Sequence, residues 1–121
     1  MISKFEELLV YKKAFKQSMD IFTITKSFPK EERYSLTDQI RRSSRSVCAN
    51  IAEAYHKRLY KKHFILGLSH SDAENAETLN WLSFAYSCEY ISKDQLKILR
   101  KSNLEVGRML GYMMKHPEKF L

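Results

Sequence analysis

The chain has 121 residues, a formal net charge of +7 at pH 7, 44% hydrophobic residues, three Gly and two Pro. That length fits one domain spanning residues 1–121, and so few turn-formers imply long elements and an all-α class. No run of about 18 apolar residues is present, which excludes a transmembrane helix, and the segment opening at Met1 lacks a signal-peptide core.

Charge is uneven along the chain. Residues 1–29 carry +2, residues 30–58 carry +3, residues 59–92 carry −2 and residues 93–121 carry +4. The third segment therefore opposes the other three. This predicts internal pairing with its basic neighbours and a surplus positive field outside, which attracts polyanions.

The first helix is predicted over residues 5–28. Leu8, Tyr11, Ala14/Phe15, Ser18/Met19 and Phe22 track one face, widened by Val10, Ile21, Ile24 and Phe28. A stripe this broad predicts burial on more than one side. Pro29 is expected to stop the helix, because it restricts Phe28 and lacks a donor. The next six residues suit a helix–helix connector.

The second helix is predicted from Ser35 to Arg58, with a turn near 57–60. Ser35 and Asp38 are read as its cap. Leu36, Ile40, Ser43, Val47, Asn50/Ile51 and Ala54 share one face. Ser43 and Asn50 on that face, with Ser46 and Glu53 beside it, need hydrogen-bond partners if buried. A neighbouring helix, or another copy of the chain, must supply them.

A third helix is predicted over 60–88, with its stripe at Phe64, Leu68, Asn75, Leu79, Leu82 and Tyr86. Its middle, Ser69 to Glu77, is polar nearly all round. If helices two and three run antiparallel about residues 58–59, Ser46 faces Ser71, Ser43 faces Glu74 and Arg42 faces Asn75. One of Arg41, Arg42 or Arg45 should then bond Asp72, Glu74 or Glu77, because the guanidinium fork matches a carboxylate. The expected structural network is Gln39, Arg41, Arg42, Ser46, Asn50, Glu53, Asp72, Glu74 and Glu77.

Ser92 and Gln95 form a capping box that opens a fourth helix over 93–115. Leu96, Leu99, Asn103, Val106, Leu110 and Met113 mark its buried stripe, and His116-Pro117 ends it. Gly107 and Gly111 are expected to let a neighbouring helix approach closely. Long helices with short connectors run up-down-up-down, giving an antiparallel four-helix bundle.

No catalytic constellation is legible. Cys48 and Cys88 fall within predicted helices without a pairing or ligand motif, so both are read as buried thiols of a cytoplasmic protein. His56, His63 and His70 recur every seven residues, two turns apart, and read as surface residues. Glu53-Ala-Tyr-His56 is a single copy of a Glu-x-x-His pattern that di-iron bundles use twice. Ser43, Ser44 and Ser46 lack a base and an elbow motif. Trp81 and the Tyr and Phe residues are assigned mostly to the core. The chain is therefore read as non-enzymatic, with no cofactor and no metal.

Taken together, Phe28-Pro29, Glu32-Arg-Tyr-Ser-Leu36, Gln39-Ile-Arg-Arg42, Ser46-Val47 and Asn50-Ile-Ala-Glu53 resemble the four helix bundle proteins encoded within intervening sequences of bacterial 23S ribosomal RNA genes. Glu77-Thr78 and Trp81-Leu82 resemble that family's third helix. Ala54 departs from it, since the family usually carries Gly there. The family is similar to the accessory protein of diversity-generating retroelements, a five-fold barrel that binds a reverse transcriptase and nucleic acid. The resemblance thus implies a homo-oligomer, specifically a pentamer, with RNA or DNA and a polymerase-type protein as partners. The basic residues expected to meet phosphates are Lys12, Lys13, Lys16, Arg45, Lys57, Arg58, Lys61, Lys62, Lys97, Arg100, Lys101 and Arg108. The alternative is a structural or protein-interaction scaffold that binds no nucleic acid.

Overall fold

A computed structural model describes residues 4–121, so the first three residues of the segment read for a leader lie outside it. Four helices carry the fold: α1 Leu9–Thr25, α2 Leu36–His56, α3 Lys61–Ser87 and α4 Lys93–Lys115. Short 3-10 turns occupy Phe5–Glu7, Lys30–Glu32 and Pro117–Phe120. Consecutive helices pack on one another, and α1 closes the ring against α4. This is the antiparallel up-down-up-down arrangement. None of the described helices is long and apolar enough to cross a membrane.

Local chemistry sets the helix ends. The last turn of α1 tightens into three-residue hydrogen bonds, from the Lys26, Ser27 and Phe28 amides to Thr23, Ile24 and Thr25. The helix thus ends at Thr25, short of the expected Phe28, because Pro29 excludes Phe28 from the helical region. The start of α2 is capped by Glu32, not by the expected Ser35–Asp38 box. Glu32 Oε1 accepts from the Ser35 hydroxyl at 2.6 Å and from the Leu36 amide at 3.3 Å. At α4 the expected box forms, with Ser92 Oγ accepting the Gln95 amide and Gln95 Oε1 the Ser92 amide. Glu89 follows α3 with φ 63°, and the Tyr90 amide reaches back to the Ala85 carbonyl. A left-handed residue at this position closes a helix.

The core falls into two apolar halves. One gathers Leu8, Val10, Val47, Ile51, Phe64, Leu68, Val106 and Leu110 around the α2–α3 turn end. The other gathers Ile21, Phe28, Ile40, Leu82, Ile91 and Leu99 around the α1–α2 connector end. Between them lies a buried polar layer drawn from all four helices.

The buried face of α1 differs from the predicted stripe. Val10, Ala14, Ser18 and Ile21 are buried as read, but Gln17 and Thr25 join them while Phe15 and Met19 are exposed. Hydrophobicity alone favoured Phe and Met over Gln; the buried partners of Gln17 and Ser18 reverse that choice. Tyr34, Tyr60, Phe84, Tyr86 and Tyr112 are likewise exposed rather than in the core. Cys48 is buried, and burial pushes its thiol up to about 11. Cys88 lies just past α3 and is exposed, contrary to expectation.

Close helix approach occurs at Gly67, not at the expected glycines of α4. A Cβ built on Gly67 would stand 2.7 Å from the Ala54 methyl. Ala54 therefore fills space that Gly67 leaves open, and α2 passes it to end at His56. A Cβ on Gly107 would make only ordinary contacts, and one on Gly111 would meet nothing within 4 Å.

Candidate functional site

Three polar regions result from this packing, and they have different fates. The first is the central layer. Asn75 of α3 accepts from Gln17 Nε2 at 3.2 Å and donates to the Asn103 carbonyl at 2.9 Å. Asn103 donates back to the Asn75 carbonyl at 2.9 Å. Ser43 and Thr78 share a hydrogen bond of 2.8 Å, Ser18 and Ser44 one of 3.1 Å. Ser71 donates to the Val47 carbonyl at 2.8 Å. Most of these buried amides and hydroxyls thus satisfy one another, as a low-dielectric interior requires, while Gln17 Oε1 is left without a partner.

The pairing of α2 with α3 lies further along α3 than the turn-centred estimate. Ser43 meets Thr78 instead of Glu74, and Ser71 reaches the carbonyl of Val47 instead of Ser46. Ser46 and Asn50 satisfy each other within α2, where Asn50 Nδ2 donates to the Ser46 carbonyl and hydroxyl. Glu53 is exposed. The expected network therefore splits, and Gln17, Ser18, Ser44 and Asn103 take the central role instead.

The second region is the arginine–carboxylate cluster. Arg42 donates to Glu77 Oε1 at 3.0 Å and stands 3.7 Å from Glu74 Oε2. That Glu74 oxygen is buried without a hydrogen bond. Desolvation and the neighbouring Glu77 raise the Glu74 carboxyl above its usual range, against the opposing pull of Arg42. Asp72, half-buried, is raised by desolvation. Arg41 turns the other way, its Nε donating to Thr25 Oγ1 at 2.8 Å.

The third region is a cleft of about 780 Å³ between the end of α1 and the start of α2. Six cations line it: Lys26, Lys30, Arg33, Arg41, Arg42 and Arg45, with Asp38 as the lone acid. Lys26 Nζ and the Arg41 guanidinium each stand 4.9 Å from the Phe22 ring centroid, and Arg45 stands 6.0 Å away. The ring face holds these cations by its quadrupole. Among the described residues, only Arg42 of the six makes an ion pair with a carboxylate. Thr37, buried and without a partner for its hydroxyl, also lines the cleft.

The basic residues singled out in the sequence do not converge on one place. Lys13 pairs with Glu105 at 2.7 Å and Lys16 with Asp20 at 2.8 Å. Lys101 and Arg108 also act on Glu105, whose carboxyl is lowered first by its bond to Lys13. Arg58 donates to the Tyr55 carbonyl and lies 4.2 Å over its ring. Lys57, Lys61 and Lys62 sit at the α2–α3 end, while Lys12 lies on α1 and Lys97 and Arg100 on α4, all exposed. Arg45 alone of that set reaches the cleft. Lys26, Lys30 and Arg33 went unnoticed because they are spread over a helix end and a connector, where no periodicity groups them.

His56, His63 and His70 are exposed. Among the described residues no three His, Cys, Asp or Glu side chains gather to hold a metal.

The family model of the 23S rRNA-intervening sequence protein matches residues 6–112. The chain belongs to that family. A crystal structure of a protein of unknown function from the S23 ribosomal protein family of Bacteroides thetaiotaomicron is similar to it. That likeness has 28% sequence identity and a TM-score of 0.80, covering 88% of this chain and 96% of the other. No curated protein matches. In this 23S rRNA-intervening sequence family member, the Gln39-to-Glu53 block divides by face. Val47 and Ile51 enter the core, while Arg41, Arg42 and Arg45 ring the cleft.

Proposed function

We propose that this family member is a non-enzymatic, oligomeric cytoplasmic protein that contacts the phosphates of RNA or DNA through its basic surface. The observation that carries this reading is the α1–α2 cleft, where six cations surround one acid on a chain of net charge +7. Grouping like charges costs repulsion that an anionic ligand removes. Contacts of this kind are salt-sensitive and weakly selective for sequence. Exposed Leu9, Phe15 and Met19 on α1 support burial against further copies of the chain, for which a pentamer is the assembly suggested by resemblance.

A gel-shift series against structured RNA and duplex DNA tests the reading. Binding that weakens steeply as salt rises is expected; no shift at low salt overturns it. Light scattering of the purified protein gives the subunit number. A second reading, a scaffold for a polymerase-type protein partner without nucleic acid, draws on a different feature. An apolar groove of about 340 Å³, lined by Leu8, Leu9, Met109, Tyr112, Met113 and Phe120, lies between α1 and α4.

A further inference from the structure

We infer that the α1–α2 cleft takes a single nucleic-acid strand, its phosphates on Lys26, Lys30, Arg33 and Arg41 and one unpaired base stacked on Tyr34. This rests on the nucleic-acid reading above and names the ligand class of that site. Three observations point to a strand and away from a duplex.

The cleft is concave and of a size that takes small ligands. A duplex presents a broad convex backbone and meets an open basic face more readily than a recess. Second, Tyr34 is 86% exposed and lies just outside the cleft, on a neighbouring groove that it shares with Trp81 and Phe84. The Arg33 guanidinium lies 5.9 Å from its ring centroid and lines the cleft. An exposed ring beside a phosphate-binding cation is the combination that single-strand binders use, because only unpaired bases offer a free face. Third, Arg41 is aimed before any ligand arrives. Its Nε is held by Thr25 Oγ1 and its plane by Phe22, which leaves its terminal nitrogens for phosphate oxygens. Lys30 and Arg33 stand on a connector fastened at both ends of Glu32, by Ser35 and by Tyr90.

Fluorescence anisotropy with a labelled oligouridine, and with an RNA duplex of equal length, tests this. The variant Lys26→Ala/Lys30→Ala/Arg33→Ala removes cleft charge. The variant Lys57→Ala/Lys61→Ala/Lys62→Ala removes the same charge at the opposite end. All six side chains are exposed, so both variants should melt near the parent. The cleft variant should lose about tenfold or more in affinity for oligouridine, and its log K against log salt slope should shallow by about 2. The control variant should lose far less. Tyr34→Ala should weaken oligouridine binding about tenfold and leave duplex binding unchanged. Equal losses in the two triple variants, or an unaffected Tyr34→Ala protein, overturn the assignment while leaving nucleic-acid binding intact. Failure of the parent to bind either probe at low salt overturns both readings.

Discussion

The central layer and the α1–α2 cleft are both polar, yet they treat their groups in opposite ways. In the layer, Gln17, Asn75 and Asn103 exchange hydrogen bonds across three helices, and Ser43 finds Thr78. In the cleft, Lys26, Lys30, Arg33 and Arg45 face water without a carboxylate. Polar groups that satisfy one another indoors fix a fold, because each one removed strands another. Exposed cations without a carboxylate partner contribute little to the fold and are free to meet a ligand. The difference predicts that substitutions in the layer change stability, whereas substitutions in the cleft change binding.

The largest effect should come from Asn75→Leu. It strands Asn103 and Gln17 and should cost about 3–4 kcal/mol, read as a lower urea midpoint. Next, Gly67→Ala forces a methyl against Ala54, and overpacking of about 1–3 kcal/mol should outweigh the gain of about 1 kcal/mol in helix propensity. Ser43→Ala alone should cost about 1 kcal/mol by removing its bond to Thr78, which keeps its bond to the Glu74 carbonyl, and Ser43→Ala/Thr78→Val should cost less than the two singles added. The cleft variant Lys26→Ala/Lys30→Ala should leave the urea midpoint unchanged, within about 0.5 kcal/mol. If it falls as far as Asn75→Leu, the contrast between the two regions fails.

A finer effect concerns pH. The Glu74 carboxyl is raised in the folded protein, so its ionised form opposes folding. Glu74→Gln should therefore be the more stable form at neutral pH. The advantage should shrink as pH falls through the raised Glu74 range and vanish below the unfolded value. Paired urea titrations at neutral and acidic pH measure it. Glu89→Gly, which relieves a left-handed side chain, should gain about 0.5–1 kcal/mol.

Much of the bundle was legible because apolar spacing and terminal chemistry agreed. The α4 stripe from Leu99 to Met113 is buried as read, and its Ser92–Gln95 cap forms. The face of α1 was misread, because Gln17 looks like a surface residue until Asn75 is known to face it. The register of α2 on α3 slipped for a related reason. It is set by Ala54 lying on Gly67, a shape match that hydropathy does not encode. The arginine–carboxylate pairing was foreseeable from charge, and Arg42 makes it. The cleft was not, since its cations come from the end of one helix, a connector and the start of another. Only folding brings Lys26 and Arg33 beside Arg45.

Glu32 has both of its oxygens occupied. Ser35 and the Leu36 amide hold one, and the Tyr90 hydroxyl, 2.8 Å away, holds the other. The first two lower its acidity range together with Tyr90, while the same bond pushes the Tyr90 phenol up to about 12. One carboxylate thereby rivets the corner between α1 and α2 to the opposite corner between α3 and α4. A guest arriving at that corner would find its anchoring arms already mounted on a stiff bracket, with little disorder left to surrender on capture. Acid strong enough to protonate Glu32 would loosen the bracket and leave the arms intact, separating rigidity from charge in a single titration.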